Sequence, residues 1–147
     1  MKKLMLSISG IIAGLITLTL IVESIEILSI MKLSGKTLSE FQDNQILYFT
    51  IRNQNWFLAF KLFYTAIAAF IAGVLCSKTS KQTSNVSVTI LIVIQLVSLL
   101  YGMLISEFKN TTPLYIWITL CFVIPLFIYL GHLFIAKKRL THNKNNL

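Results

Sequence analysis

Glu23 and Glu26 stand three residues apart after a long uncharged run, and on a helix that spacing sets both carboxylates on one face. Acids so paired can hold a basic group, bind a cation or carry a proton. Lys61, the single charge within a second apolar run, is the basic group at hand. At about 1.5 Å per residue, Glu23 lies roughly 30 Å along its helix from Lys3, and Lys61 lies roughly 25 Å along its own from Lys78. The acids and the lysine therefore reach similar depths, and pairing of Glu23 or Glu26 with Lys61 is expected. Gln95, polar within a third apolar run, completes the candidate binding cluster of Glu23, Glu26, Lys61 and Gln95. One reading is an outward-facing polar pocket for a ligand or a proton. The other is structural, with carboxylates in interfacial water and a lysine that extends its amine to the headgroups. Depth near the boundary favours the structural reading.

Other chemistry is thinly represented. Cys76 and Cys121 belong to no CxxC or Cys/His spacing and sit in or beside apolar runs, where cysteine behaves as a small hydrophobe. His132 and His142 lack a ligand spacing such as HxxxH, so neither a metal nor another cofactor is expected. No nucleophile–base pair is evident, and the chain is not expected to be an enzyme.

The elements that position the cluster follow from composition. Of 147 residues, 56% are hydrophobic and only 12% charged, too few charges to cover a soluble core of this size. Apolar stretches at about 4–31, 56–76, 86–106 and 113–136 each have the roughly 20 residues that cross about 30 Å of hydrocarbon. A backbone in lipid must satisfy its own hydrogen bonds, and a helix does so within one segment. The expectation is an all-α integral membrane bundle of four transmembrane helices, up-down, forming one domain over 1–147. The basic start and apolar run at 4–22 resemble a signal peptide, but the run is too long and glutamates follow it, so it reads as an uncleaved first helix.

Between the helices, 77–84 (SKTSKQTS) and 107–112 (EFKNTT) read as short loops, and 32–55 as a long one. Within the long loop, Thr37 and Glu40 fit a capping box in which each satisfies an end amide, starting a short surface helix with Leu38 and Phe41 facing down. The tail from 141 to 147 is polar and expected to be disordered. Gly10 and Gly14 form a GxxxG, matched by Ala69 and Gly73 on the second helix; packing within the chain is favoured over a homodimer face. Gln95 is expected to hydrogen-bond to a neighbouring helix, and Pro125 to free a carbonyl and kink the fourth helix.

Charge gives direction. With the N-terminus inside, eight basic residues (Lys2, Lys3, Lys78, Lys81, Lys137, Lys138, Arg139 and Lys144) collect on the inner side, against Lys32, Lys36, Arg52 and Lys109 outside. Lysine and arginine set topology, so both termini are expected in the cytoplasm of a bacterial cell membrane. Trp56, Tyr101, Tyr115 and Trp117 fall near the outer boundary, where amphipathic rings favour the headgroup layer. The net charge of +8 falls between apolar runs rather than on one surface, which argues against nucleic acid as a partner and for the lipid bilayer.

Two resemblances follow from these residues. An acid on the first helix of a small four-helix chain is similar to the small multidrug resistance transporters, in which a membrane-embedded glutamate couples drug to protons. That family is shorter, has very short loops, and holds its glutamate deeper than Glu23. Across most of its length the chain more closely resembles a loose group of small bacterial four-helix membrane proteins. These share an acid late in helix one, a small-residue helix two (here AIAAFIAG, Ala66 to Gly73) and a fourth helix opening with proline and tryptophan (Pro113 and Trp117, then Pro125 and Gly131). That group implies no activity. The functional expectation is a non-enzymatic accessory or interaction protein, whose partner is a homodimer mate or another membrane protein. The alternatives are a small transporter using the Glu/Lys cluster and, last, a membrane enzyme.

Overall fold

The computed structural model describes residues 2–43, 45–106 and 111–144. It is all-α, in the order α1 (Lys2–Ser34), α2 (Leu38–Asp43), α3 (Gln45–Arg52), α4 (Asn55–Ser80), a 3-10 turn (Lys81–Thr83), α5 (Ser84–Leu104) and α6 (Leu114–Lys144). Four of these, α1, α4, α5 and α6, are long and apolar enough to cross a membrane. Glu107 and Lys109, and the end of the tail at 145–147, lie outside the described residues.

α4 is the central helix, packed along both α1 and α6. Its sequence explains why. Thr65, Ala68, Ala69, Ala72, Gly73, Cys76, Ser77 and Ser80 recur every three or four residues and are all buried, giving a narrow stripe that neighbouring backbones can approach. Gly73 and Gly131 form the closest crossing: a Cβ on Gly73 would overlap the Ile128 backbone, and one on Gly131 the Phe70 carbonyl. Gly10 and Gly14 face Cys76, Ser80 and Leu91, so the GxxxG stripe packs within the chain. Large side chains fill the other seams, with Leu18, Leu58, Leu91, Leu120, Ile124 and Ile128 in one core. The opposite faces of α1 and α5 expose leucine, isoleucine and valine along their length, more contiguous apolar surface than a water-soluble monomer carries.

At the end that carries both termini, polar groups replace apolar packing. Ser7 and Ser87 share a 2.7 Å hydroxyl bond, and Ser77 Oγ lies 2.8 Å from His132 Nδ1. Arg139 donates to the carbonyls of Lys81 at 2.8 Å and Ser77 at 2.7 Å, satisfying acceptors at the end of α4. α6 runs to Lys144, so residues 141–144 extend a helix where a disordered tail was expected; once nucleated, a helix adds residues at little cost, and Thr141 bonds back to the Lys137 carbonyl. The helix also continues through Pro125. Pro113 precedes α6 rather than opening it, its carbonyl accepting from Ile116 N–H at 3.0 Å.

The opposite end is built differently. α1 stops at Gly35, whose left-handed φ of 67° lets its N–H close on the Met31 carbonyl at 3.0 Å. The expected capping box is half formed. Glu40 Oε2 accepts the Thr37 N–H at 2.7 Å, but the Thr37 hydroxyl also donates to Glu40 instead of accepting a helix amide. Those two bonds hold the Glu40 carboxyl below the usual carboxylate range. Phe41 faces inward onto Ile30 and Phe57, as expected; the Leu38 side chain lies outside what is described. The long loop holds a second helix, α3, that sequence reading left as loop. Together α2 and α3 fold across the ends of α1 and α4.

The Gly73–Gly131 crossing carries a prediction. Gly73→Ala and Gly131→Ala should each destabilise the bundle by about 1–3 kcal/mol, because backbone cannot move aside as a side chain tip can. The measurement is the unfolding midpoint in a mixed-micelle denaturation series. Unchanged midpoints in both variants would mean that α4 and α6 do not approach so closely.

Candidate ligand pocket and its ion-pair support

Glu26 is the hub of the α2–α3 end. Its carboxylate is 3% exposed and each oxygen meets two groups. Oε2 accepts from Lys61 Nζ at 2.7 Å and from the Tyr64 hydroxyl at 3.0 Å. Oε1 accepts from the Tyr48 hydroxyl at 3.0 Å and lies 2.6 Å from Arg52 Nε. That last contact is an ion pair by distance, but the Nε–H does not point at the oxygen. Helix spacing arranges the donors: Lys61 and Tyr64 are one turn apart on α4, and Tyr48 and Arg52 one turn apart on α3. A carboxylate has about four acceptor sites; three accept hydrogen bonds here, and Arg52 adds its charge beside Oε1.

This corrects the structural reading of the sequence. Glu26 is not in interfacial water and Lys61 does not extend to the headgroups, because α3 lies over both and brings its own cation. Lys61 pairs with Glu26, whereas Glu23 makes no ion pair among the described residues. Gln95 makes no side-chain hydrogen bond to a neighbouring helix among the described residues. Its amide faces a cavity instead.

That cavity, about 210 Å³, lies between α1, α4, α5 and α6 beside the ion-pair cluster. Glu23, Lys61 and Gln95 line it, so three of the four candidate residues meet there, and Glu26 stands behind Lys61 and Arg52. Arg52, Thr65, Thr112 and Trp117 line it as well. The hydroxyls of Thr65 and Thr112 and the indole N–H of Trp117 are buried and have no hydrogen-bond partner among the described residues. Thr65 is 3% exposed and Thr112 5%, so bulk water does not answer for them. A buried polar group without a partner is unfavourable by about 1–3 kcal/mol, and three such groups belong to residues that line this one cavity. Leu18, Leu99, Leu120 and Ile124 supply the apolar part of the wall.

Sequence reading missed Tyr48, Arg52, Tyr64, Thr65, Thr112 and Trp117. Tyr64 and Thr65 lie one turn from Lys61 and were open to the same helical reasoning. Arg52 reads as a loop charge in the sequence, whereas it closes the short helix α3. Thr112 and Trp117 reach the cavity only through the tertiary fold. Among the described residues no group of His, Cys, Asp and Glu is placed to hold a metal ion. No family model, curated protein or solved structure matches the chain.

Two predictions follow from the cluster. Glu26→Gln leaves two cations facing each other and should destabilise by about 3–5 kcal/mol. Lys61→Met leaves a Glu26–Arg52 pair and should cost less. The double variant should be more stable than Glu26→Gln alone; strict additivity in that cycle would show the groups to be uncoupled. Tyr48 lies in α3, and burial, then the Glu26 carboxylate, push its hydroxyl above the ordinary tyrosine range. An unfolded tyrosine ionises near 10, so this contribution is complete below about pH 10 and is lost as pH rises beyond it. Stability measured from about pH 8 to about pH 11 should therefore fall less steeply in Tyr48→Phe than in the parent.

Proposed function

We propose that this chain is a multi-pass cell-membrane protein with both termini in the cytoplasm, and that it works by binding a small polar molecule from the outer side rather than by catalysis. The observation that carries the reading is the outer-half cavity, where Thr65, Thr112 and Trp117 hold three unanswered polar groups beside Glu23, Lys61 and Gln95. The excess of lysine and arginine at the end with both termini supports the orientation. A binding role suits an accessory or interaction protein that senses or presents a ligand to a membrane partner. Glu26 serves in this reading as support, since it is buried and already holds Lys61, Tyr64, Tyr48 and Arg52 around it.

Transport is the second reading, favoured by one observation: Glu23 faces the cavity without a cationic partner among the described residues. A substrate-dependent proton flux into reconstituted vesicles that disappears in Glu23→Gln would make transport the lead.

Thiol labelling tests the binding reading. In a variant carrying Cys76→Ala and Cys121→Ala, single cysteines replace Ile46, Thr112 or Thr79. A small membrane-impermeant reagent applied to intact cells should label Ile46→Cys rapidly, Thr112→Cys more slowly through the cavity, and Thr79→Cys only after lysis. Labelling of Thr79→Cys alone in intact cells would reverse the orientation. Protection of Thr112→Cys in both intact and lysed cells would mean a closed, dry cavity and would end the binding reading.

A further inference from the structure

We infer that the cavity takes a zwitterionic group, a phosphate or carboxylate joined by a short link to a primary ammonium. This rests on the reading that the cavity binds a small molecule, and adds the ligand's chemistry.

The inference starts from the charges. Arg52 and Lys61 together carry two positive charges and share one neutralising carboxylate, Glu26. The cluster therefore presents one net positive charge to the cavity it helps to line. The terminal guanidinium nitrogens of Arg52 make no hydrogen bond among the described residues. Two of the three N–H donors of Lys61 are likewise left after its bond to Glu26. Guanidinium is the group best matched to a planar carboxylate or a phosphate, which it grips through two parallel N–H bonds.

The orphaned polar groups extend the same pattern. Trp117 Nε1–H can only donate, and the Thr65 and Thr112 hydroxyls can donate to an anion. Five donor-bearing side chains thus line one small space, and an anionic group suits the two cations among them. A simple anion does not account for Glu23, which lines the same cavity and makes no ion pair among the described residues. A simple cation would satisfy Glu23 but would face Arg52 and Lys61. Only a ligand carrying both signs leaves every one of these groups answered. With Glu23, Glu26, Arg52 and Lys61 counted together the site is neutral, so a ligand without net charge enters at no electrostatic penalty overall.

Size and setting narrow the class. About 210 Å³ is smaller than the roughly 300 Å³ at which pockets for drug-sized molecules begin, and suits a headgroup or a free small zwitterion. The apolar wall of Leu18, Leu99, Leu120 and Ile124 suits the methylene link of either. The two sources share one recognition chemistry: an aminophospholipid headgroup, or a soluble molecule such as an amino acid or phosphoethanolamine.

The experiment uses the full chain with Trp56→Phe, which leaves Trp117 as the only tryptophan and places the reporter in the cavity wall. The protein is placed in nanodiscs of phosphatidylglycerol and titrated with phosphoethanolamine, glycine, inorganic phosphate or ethanolamine while Trp117 emission is followed. At least one zwitterion should bind about tenfold or more tightly than both phosphate and ethanolamine, a difference of about 1.4 kcal/mol. Glu23→Gln, an unpaired and exposed position, should erase the preference over phosphate, and Thr112→Val should weaken every probe. In nanodiscs containing phosphatidylethanolamine, emission already shifted and no longer responsive to soluble probes identifies the lipid headgroup as the source. A response to soluble zwitterions in both lipids identifies a free ligand. Equal binding of phosphate or ethanolamine, insensitive to Glu23→Gln, overturns the zwitterion while leaving the binding reading intact. So does silence from all probes in both lipids when Thr112→Cys still reacts with the thiol reagent. Silence together with a protected Thr112→Cys removes both readings.

Discussion

One carboxylate, Glu26, determines how the α2–α3 end of this molecule is arranged. A buried charge must be matched, and the match here needs groups from two other helices. Lys61 and Tyr64 come from α4, Tyr48 and Arg52 from α3, so satisfying one side chain fixes α1, α3 and α4 against one another. The arrangement also over-supplies positive charge by one, and that surplus faces the cavity. Apart from Glu26, apolar contacts of Leu47, Tyr48 and Ile51 with the Ile30, Phe41 and Phe57 cluster help to hold the short helix α3 in place.

The rest of the bundle is held by a different force. Helices of membrane-spanning length and hydropathy would gain little hydrophobic energy from associating in lipid, where close packing of small residues takes over. The α4 stripe meets that need, with Gly73 against α6 and Gly10 and Gly14 of α1 against α4. α5 has no such stripe: it is the least buried of the four long helices, with 17% of its apolar window covered against 44% for α4. It contributes Gln95 and Leu99 to the cavity and exposes most of its remaining length.

Much of this was legible in the sequence because lipid-length apolar runs obey few rules and obey them strictly. The four long helices, the Glu–Lys pairing between α1 and α4 and the inward face of Phe41 all follow from spacing alone. α3 did not, because eight residues of mixed polarity after a turn look the same whether they float as loop or pack as helix. Missing α3 meant missing Arg52 and Tyr48, and with them the reason Glu26 can be fully buried. Glu26 lies in the last third of α1, yet position along a helix says nothing of what covers it. The cavity was illegible for a related reason. Thr65, Thr112 and Trp117 are far apart in the chain, and hydroxyls in a membrane helix ordinarily bond to their own backbone, as Thr119 does to Tyr115.

The positions of the Glu26 partners along the chain bear on biogenesis. Every group that neutralises Glu26 lies between Tyr48 and Tyr64, so the whole cluster is contained in the first 64 residues. A nascent chain leaving the ribosome can therefore balance its most unfavourable charge as a two-helix hairpin, before α5 and α6 are synthesised. The cavity cannot form so early. Its Thr112 and Trp117 belong to the last quarter of the wall to be made, and it is complete only when α6 docks on α4. Charge balance can thus come first in time, and the cavity last.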